Sequence, residues 1–170
     1  MTEVIHTNPH DLEQIFALFD HSVAYQEKNG YPVWRNYDKQ AIIHDMEQKN
    51  QYKVVVDATP AMVFSVRYTD KIIWRDLDKG DALYLHRIVV NPAFKGKKLF
   101  GVILDWAITH AKQKNLRYIR MDTWAANPTL IRYYQGFGFT RIEDFTTPDS
   151  QELPAHNRSL ALTLLAYRLP

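Results

Sequence analysis

Between Val90 and Gly101 the chain reads Val-Asn-Pro-Ala-Phe-Lys-Gly-Lys-Lys-Leu-Phe-Gly, a stretch whose residue types suit the binding of an anion. An apolar run reaching Val90 meets a turn at Asn91-Pro92. A loop carrying Lys95, Gly96, Lys97 and Lys98 then leads into Leu99, Val102, Ile103, Trp106 and His110 at helical spacing. Strand, cationic loop and helix in that order bring unpaired N–H groups and the positive end of a helix dipole beside lysine ammonium groups. A pyrophosphate fits such a place, and we read the anion as part of a cofactor. Two titratable residues flank the loop. Strict alternation puts His86 on the same side of its strand as Ile88 and Val90, and an imidazole of pKa about 6.5 suits proton abstraction, directly or through water. Asp122 lies near the end of the following strand. The competing accounts are a hydrogen-bonded, half-buried His86 and an Asp122 paired with Arg120 or Arg117.

The elements that must position these groups can be read in order. Thr2 to His6 is a short strand, and Asn8-Pro9-His10-Asp11 starts a helix with an Asn cap, Pro at the first position and an acid in the first turn. Leu12, Ile15, Phe16, Phe19 and Val23 share one face until Asn29-Gly30 stops it. A second helix from Asp38 to Lys49-Asn50 buries Ile42, Ile43 and Met46. The aromatic loop between them, residues 31–37, either closes the edge of the core or walls a substrate pocket. Tyr52–Val56 and Met62–Tyr68 form a hairpin with a slightly long turn over 57–61, and Met62, Phe64 and Val66 share a face. The acidic segment 70–81 lacks the glutamate that closes a calcium loop and reads as a solvated turn. Residues 82–90 form the central strand, 99–114 a helix, 116–123 a strand, and Asn127-Pro128 opens a short helix through Tyr134. Strands over 137–145 and 159–169 complete the chain. A helix between two strands implies a right-handed parallel crossover, and the flanking hairpins make the sheet mixed but mostly antiparallel. The expectation is one α/β domain, residues 1–170, with six to seven strands and about four helices.

The segment Leu85-His86-Arg87-Ile88-Val89-Val90-Asn91-Pro92, followed by Lys95-Gly96, Asn127 and Tyr133-Tyr134-Gln135-Gly136-Phe137-Gly138-Phe139, resembles the acetyl-CoA-binding core of the GNAT N-acetyltransferases. The resemblance covers roughly the second half of the chain, with the pieces in the family's order. Family members carry Arg or Gln, two spacers, Gly, one spacer and Gly or Ala. Here these positions are Lys95, Lys98 and Phe100, leaving Gly96 and a displaced Gly101. A side chain at 98 or 100 restricts how closely phosphates approach backbone N–H groups, and lysines supply charge instead.

The resemblance implies acetyl transfer from acetyl-CoA to a primary amine of a small molecule or peptide, by direct attack in a ternary complex. Such a reaction needs a held thioester, a deprotonated amine, stabilisation of the oxyanion and a proton for the departing thiolate. By that resemblance the backbone of Ile88, Val89 and Val90 holds the pantetheine arm, and the loop Lys95, Gly96, Lys97, Lys98, Leu99, Phe100 and Gly101 takes the pyrophosphate. Asn127 contacts CoA, although Asn before Pro is also an ordinary helix cap. Tyr134 stands beside the sulfur, where a phenol of pKa about 10 can protonate a thiolate whose own value is about 8.5. Tyr133 is expected to point away, because adjacent helical residues diverge. Asp122 is preferred as general base, with His86 the other candidate, and Glu27 or Asp38 can attract a cationic amine. The alternative is a catalytically silent CoA-binding regulatory module.

Composition narrows the classes further. A formal charge of +2 is too weak for a dedicated nucleic-acid binder, the only compact basic patch being Lys95 to Lys98. With no cysteine, disulfides, thiol nucleophiles and thiolate metal sites are excluded. No metal is expected. The first residues lack a basic region followed by an apolar stretch, and no apolar run approaches ~18 residues, so a soluble cytoplasmic protein without membrane contact is expected. The last strands offer edges through which a homodimer can form.

Overall fold

The computed structural model describes residues 1–170. Seven strands form one sheet in the order β1-β2-β3-β4-β5-β7-β6. They are β1 (Thr2–His6), β2 (Gln51–Val56), β3 (Thr59–Arg67), β4 (Ala82–Val90), β5 (Tyr118–Trp124), β6 (Thr140–Thr146) and β7 (Ala161–Arg168). The helices are α1 (Leu12–Lys28), α2 (Lys39–Glu47), α3 (Lys71–Trp74), α4 (Phe100–Gln113) and α5 (Pro128–Gln135). The fifth helix, beyond the four expected, is the single turn α3. Only β4 and β5 run parallel, joined through α4; every other pair is antiparallel. β7 lies inside the sheet, so of the two last strands only β6 is an edge. No helix is long and apolar enough to cross a membrane.

Local chemistry accounts for most boundaries. Asn8 and Asp11 form a reciprocal capping box around a 3₁₀ turn, Pro9–Asp11, that runs into α1, and Gly30 at φ +68° follows its end. The β2–β3 connection is tighter than expected. Asp57 and Ala58 both take left-handed φ, the conformation that a two-residue type I′ turn requires, and Thr59 to Ala61 are already strand. Segment 70–81 also departs from the expectation of a solvated turn. Ile73 and Trp74 are buried, and Asp78 is enclosed, accepting from the Thr69 hydroxyl (2.6 Å), the Asp70 N–H (2.9 Å) and the Tyr84 hydroxyl (2.8 Å). Asp78 thus serves packing, since a buried carboxylate must be hydrogen-bonded. β5 starts at Tyr118 and β6 at Thr140, each later than the apolar pattern suggested.

The sheet separates two sides. On one, α4 buries Phe100, Ile103, Leu104, Ala107 and Ala111 against Met62, Phe64, Val66, Leu83 and Leu85. This stripe is rotated from the expected Leu99, Val102, Trp106 and His110, which are half-buried at its flank. Phe100 sets the rotation, because its ring sits among Tyr134, Phe137 and Phe139 with centroids 4.9, 5.2 and 5.9 Å away. On the other side, α1 and α2 cover Val63 and Val89.

Two irregularities in β4 shape the functional region. Ser65 pairs with His86 but Val63 pairs with Val89, so Arg87 and Ile88 together face Phe64 in a β-bulge, with Arg87 at φ +50°. The extra residue resets the alternation. Ile88 packs on the α4 side while Val89 packs under α1, so His86 does not share a side with Ile88 as strict alternation predicts. The second irregularity is a splay. β4 pairs with β5 only at Ala82, Leu83 and Tyr84, and beyond Tyr84 the two strands part.

Candidate active site

The splay opens into a cavity of about 770 Å³ between the two parted strands, the loop before α4, α5 and the aromatic loop 31–37. One wall is the free edge of β4. The Asn91 N–H bonds back to Ala61 (2.9 Å), so antiparallel alternation turns the Val90 N–H away from β3 and toward the gap. Ile88 and Val90 line the cavity, whereas the Val89 side chain is buried in the α1–α2 core and contributes only backbone here.

The loop before α4 forms a cradle at the helix N-terminus. The Gly96, Lys98 and Leu99 N–H groups have no acceptor within the protein. Gly96 (φ +82°) and Lys98 (φ +53°) both adopt left-handed backbone, which explains why a glycine is favoured at position 98 and what its replacement by lysine costs. Phe100 does not obstruct the loop, because its buried ring forms the cavity floor. The three lysines differ. Lys95 and Lys98 line the cavity, Lys95 with its Nζ 4.0 Å above the Tyr25 ring, while Lys97 Nζ sits 4.8 Å above the Phe94 ring. Lys97 and Gly101 are outside the lining; a Cβ at 101 would stand 3.4 Å from the Phe137 ring.

At the α5 side, Asn127 accepts the Leu130 N–H on its side-chain oxygen (3.1 Å) and so caps the helix, and it also lines the cavity. Tyr134 is only 7% exposed and lines the cavity, and its hydroxyl makes no hydrogen bond within the protein while remaining open to the cavity. Burial, with Tyr133 adding to it, holds its phenol well above the usual tyrosine range, so it remains protonated. Tyr133 does not point away as expected. Its ring lies 5.5 Å from that of Tyr134, it lines the same cavity, and the Phe100 N–H approaches its phenol oxygen. A helix this short, with both rings drawn toward Phe100, lets adjacent residues share one wall.

Across the gap, Asp70, His86 and Asp122 place one ligand atom each within 4.8 Å of one another, and His86 Nε2 is 3.4 Å from Asp70 Oδ2. Asp122 pairs with neither arginine. Arg120 instead donates to the Leu77 carbonyl (2.7 Å) and the Tyr84 hydroxyl (3.2 Å), and Arg117 lies against the Tyr118 ring. Burial deep in the cleft raises the Asp122 pKa to about 6, with His86 opposing the rise and Asp70 reinforcing it. Asp70 was not singled out from the sequence. It enters through the packed segment around α3, whose acids gave no periodic signal.

The remaining wall is aromatic. Trp124 stacks on Tyr31 (5.8 Å) and meets Trp34 edge-on (6.2 Å), while Trp34 and Tyr37 also pack against Phe19 of α1. The loop 31–37 therefore does both things the sequence allowed, sealing the core and walling the cavity. Glu27 is taken by Arg35 (2.9 Å) and lies outside the lining; Asp38 is at the cavity but caps α2.

A parallel pair splayed beside a helix-start cradle, with an unpaired phenol on one bank and a raised-pKa carboxylate on the other, is the frame of an acyltransferase that holds a long anionic thioester. The match of residues 31–139 to the acetyltransferase (GNAT) family model agrees. The chain belongs to that family. It is 26% identical over 137 residues, 76% of each chain, to the uncharacterized N-acetyltransferase YesJ of Bacillus subtilis. In three dimensions it resembles a GNAT family acetyltransferase from Listeria monocytogenes (23% identity, TM-score 0.77, covering 99% of this chain and 95% of that one). A putative acetyltransferase from Salmonella typhimurium, solved with its cofactor acetyl-CoA, shares the fold (18% identity, TM-score 0.69, covering 100% and 95%).

Proposed function

We propose that the protein acetylates a primary amine of a small molecule or peptide, using acetyl-CoA in a ternary complex. The observation that carries this reading is the unpaired β4 edge lining one cavity with a Tyr134 hydroxyl that makes no hydrogen bond within the protein. A strand edge and a phenol left without protein partners at one cavity wall can both engage a ligand there, and a pantetheine arm supplies amides for one and a sulfur for the other. Acetyl-CoA supplies the activated thioester. The residues fit it: the edge from Ile88 to Val90 takes the pantetheine, and the Gly96, Lys98 and Leu99 N–H groups with the Lys98 ammonium take the pyrophosphate. The Val90 N–H polarises the acyl oxygen. Asp122, ionised above about pH 6, accepts a proton from the incoming ammonium, and His86 and Asp70 hold that side of the cleft electrostatically. Tyr134 hands its proton toward the departing sulfur.

Calorimetric titration with CoA, followed by thiol release on an amine panel, tests the reading. Binding with turnover is expected. No heat on titration sinks it, and binding without thiol release on any amine leaves only a silent CoA-binding module. A narrower prediction concerns the cradle. Lys98→Gly removes the side chain from a left-handed position and should stabilise the fold by roughly 0.5–1 kcal/mol in thermal or denaturant unfolding. If main-chain groups provide most of the grip, its CoA affinity stays within about threefold, whereas loss beyond about tenfold would assign the grip to the ammonium.

A further inference from the structure

At one corner of the cavity two guanidiniums share a single carboxylate. Asp45 of α2 is fully buried; its Oδ2 accepts from Arg87 Nη1 at 2.5 Å, and its Oδ1 is in ion-pair contact with Arg67 Nη1 but accepts no hydrogen bond. One carboxylate thus faces two guanidiniums, which cannot shed their protons. Both arginines line the cavity, with side chains 33% and 28% exposed. Apart from a long contact of Arg67 with its neighbour's carbonyl (3.4 Å), their other N–H donors find no acceptor in the protein, and none of them is sealed from solvent. His156, from the β6–β7 connection, stands close enough to Arg87 to feel its charge. Asp38 also acts on Arg87, but it is exposed at the mouth and occupied in capping Ala41 (3.0 Å). The β4 bulge supplies the geometry. It turns Arg87 out of alternation at φ +50°, a conformation costly for a side-chain-bearing residue and found where a chain must aim a group.

We propose that Arg67 and Arg87 form a carboxylate-binding subsite, so that the acceptor is a small amino acid with an apolar or aromatic side group. The three surfaces fit the three parts of such a molecule. The forked donors of the arginine pair match a carboxylate, and binding one cancels the surplus charge that Asp45 leaves. Asp70 and Asp122 attract the ammonium. Tyr31, Trp34 and Trp124 receive the side group. This inference rests on the acetyltransferase reading and narrows its acceptor.

Phenylalanine and phenylalaninamide share ring and amine and differ in the carboxylate, so their ratio of kcat/KM reads the subsite. A preference for phenylalanine of at least about thirtyfold is expected, collapsing to within about threefold in Arg67→Gln. Arg67 is the residue to change, since Arg87 then still neutralises buried Asp45; Arg67→Lys, which keeps charge but not the fork, should restore only part of the ratio. Equal use of the two substrates by the unaltered protein, or equal losses for both in Arg67→Gln, overturns the subsite and leaves the acetyltransferase reading intact. Calorimetry of phenylalanine into the CoA-loaded protein separates the converse case. Binding lost in Arg67→Gln, with no acetyl transfer by either protein, keeps the subsite and removes the transferase; neither binding nor transfer removes both.

Discussion

Asp122→Asn should lower kcat/KM for the amine by about a hundredfold to a thousandfold and at the same time raise the melting temperature. Both effects follow from one carboxylate in one place. Burial in the cleft moves its pKa from the ordinary 3.8 to about 6, against the pull of His86 and with the help of Asp70. A base with that value is ionised at neutral pH yet not so weak that it cannot take a proton, which is the compromise a general base requires. The pH–rate profile should therefore fall on its acid side through about pH 6, as Asp122 protonates. In Asp122→Asn that limb should vanish from the residual activity. His86→Gln should move the limb to higher pH rather than abolish it, since the imidazole acts on Asp122 through its field and holds that pKa down.

The stability effect has the opposite sign to the catalytic one. A folded-state pKa above the unfolded value means that the folded protein binds more protons between about pH 4 and 6. The contribution is favourable below that window and is lost as pH rises through the folded value, so at neutral pH the ionised carboxylate opposes folding. Asparagine removes the charge. Thermal unfolding at pH 7.5 and at pH 4 separates the cases: the gain should be present at the higher pH and shrink at the lower. Undiminished turnover in the variant would transfer the base role to His86, and a lowered melting temperature would mean that Asp122 has a structural partner.

Tyr134→Phe should cut kcat about tenfold to a hundredfold while leaving CoA affinity within about twofold. The ring supplies packing against Phe100 and Phe139, which phenylalanine preserves, whereas the hydroxyl has no partner in the protein that its removal would strand. The loss therefore falls on the step in which sulfur departs. Because the phenol pKa is raised, it acts as a held proton donor across the whole neutral range, and no basic limb from Tyr134 is expected below pH 9 or so. Tyr133 shares the wall, so Tyr133→Phe serves as the comparison. If that change costs as much turnover and Tyr134→Phe costs little, the donor is Tyr133.

Much of this was legible without coordinates because it is local. The Asn8 cap, the Gly30 stop, the Asn127-Pro128 start and the strand-loop-helix from Val90 to Gly101 are set by residues within a turn of one another. The mixed sheet with one parallel pair followed from the order of those elements, and the departure at Lys98 and Phe100 was visible as sequence. Its consequence was not, because whether Phe100 blocks the loop depends on where Tyr134, Phe137 and Phe139 put its ring. The bulge at Arg87 has no sequence period of its own, so alternation carried past it and placed His86 on the wrong side of Ile88. Adjacency on a helix likewise misjudged Tyr133.

By itself, the sequence determined the framework: a glycine-and-lysine loop at a helix start, a tyrosine at a fixed distance beyond an asparagine, no thiol chemistry, and the order of strands that builds a parallel crossover. The tertiary structure alone decided the charged bank of the cavity opposite the loop. Asp70, Asp45, Arg67 and Arg87 come from different elements, and their charges acquire meaning only when a splayed strand pair and a bulge bring them to one low-dielectric cleft, where burial can raise a carboxylate's pKa and two guanidiniums share one carboxylate.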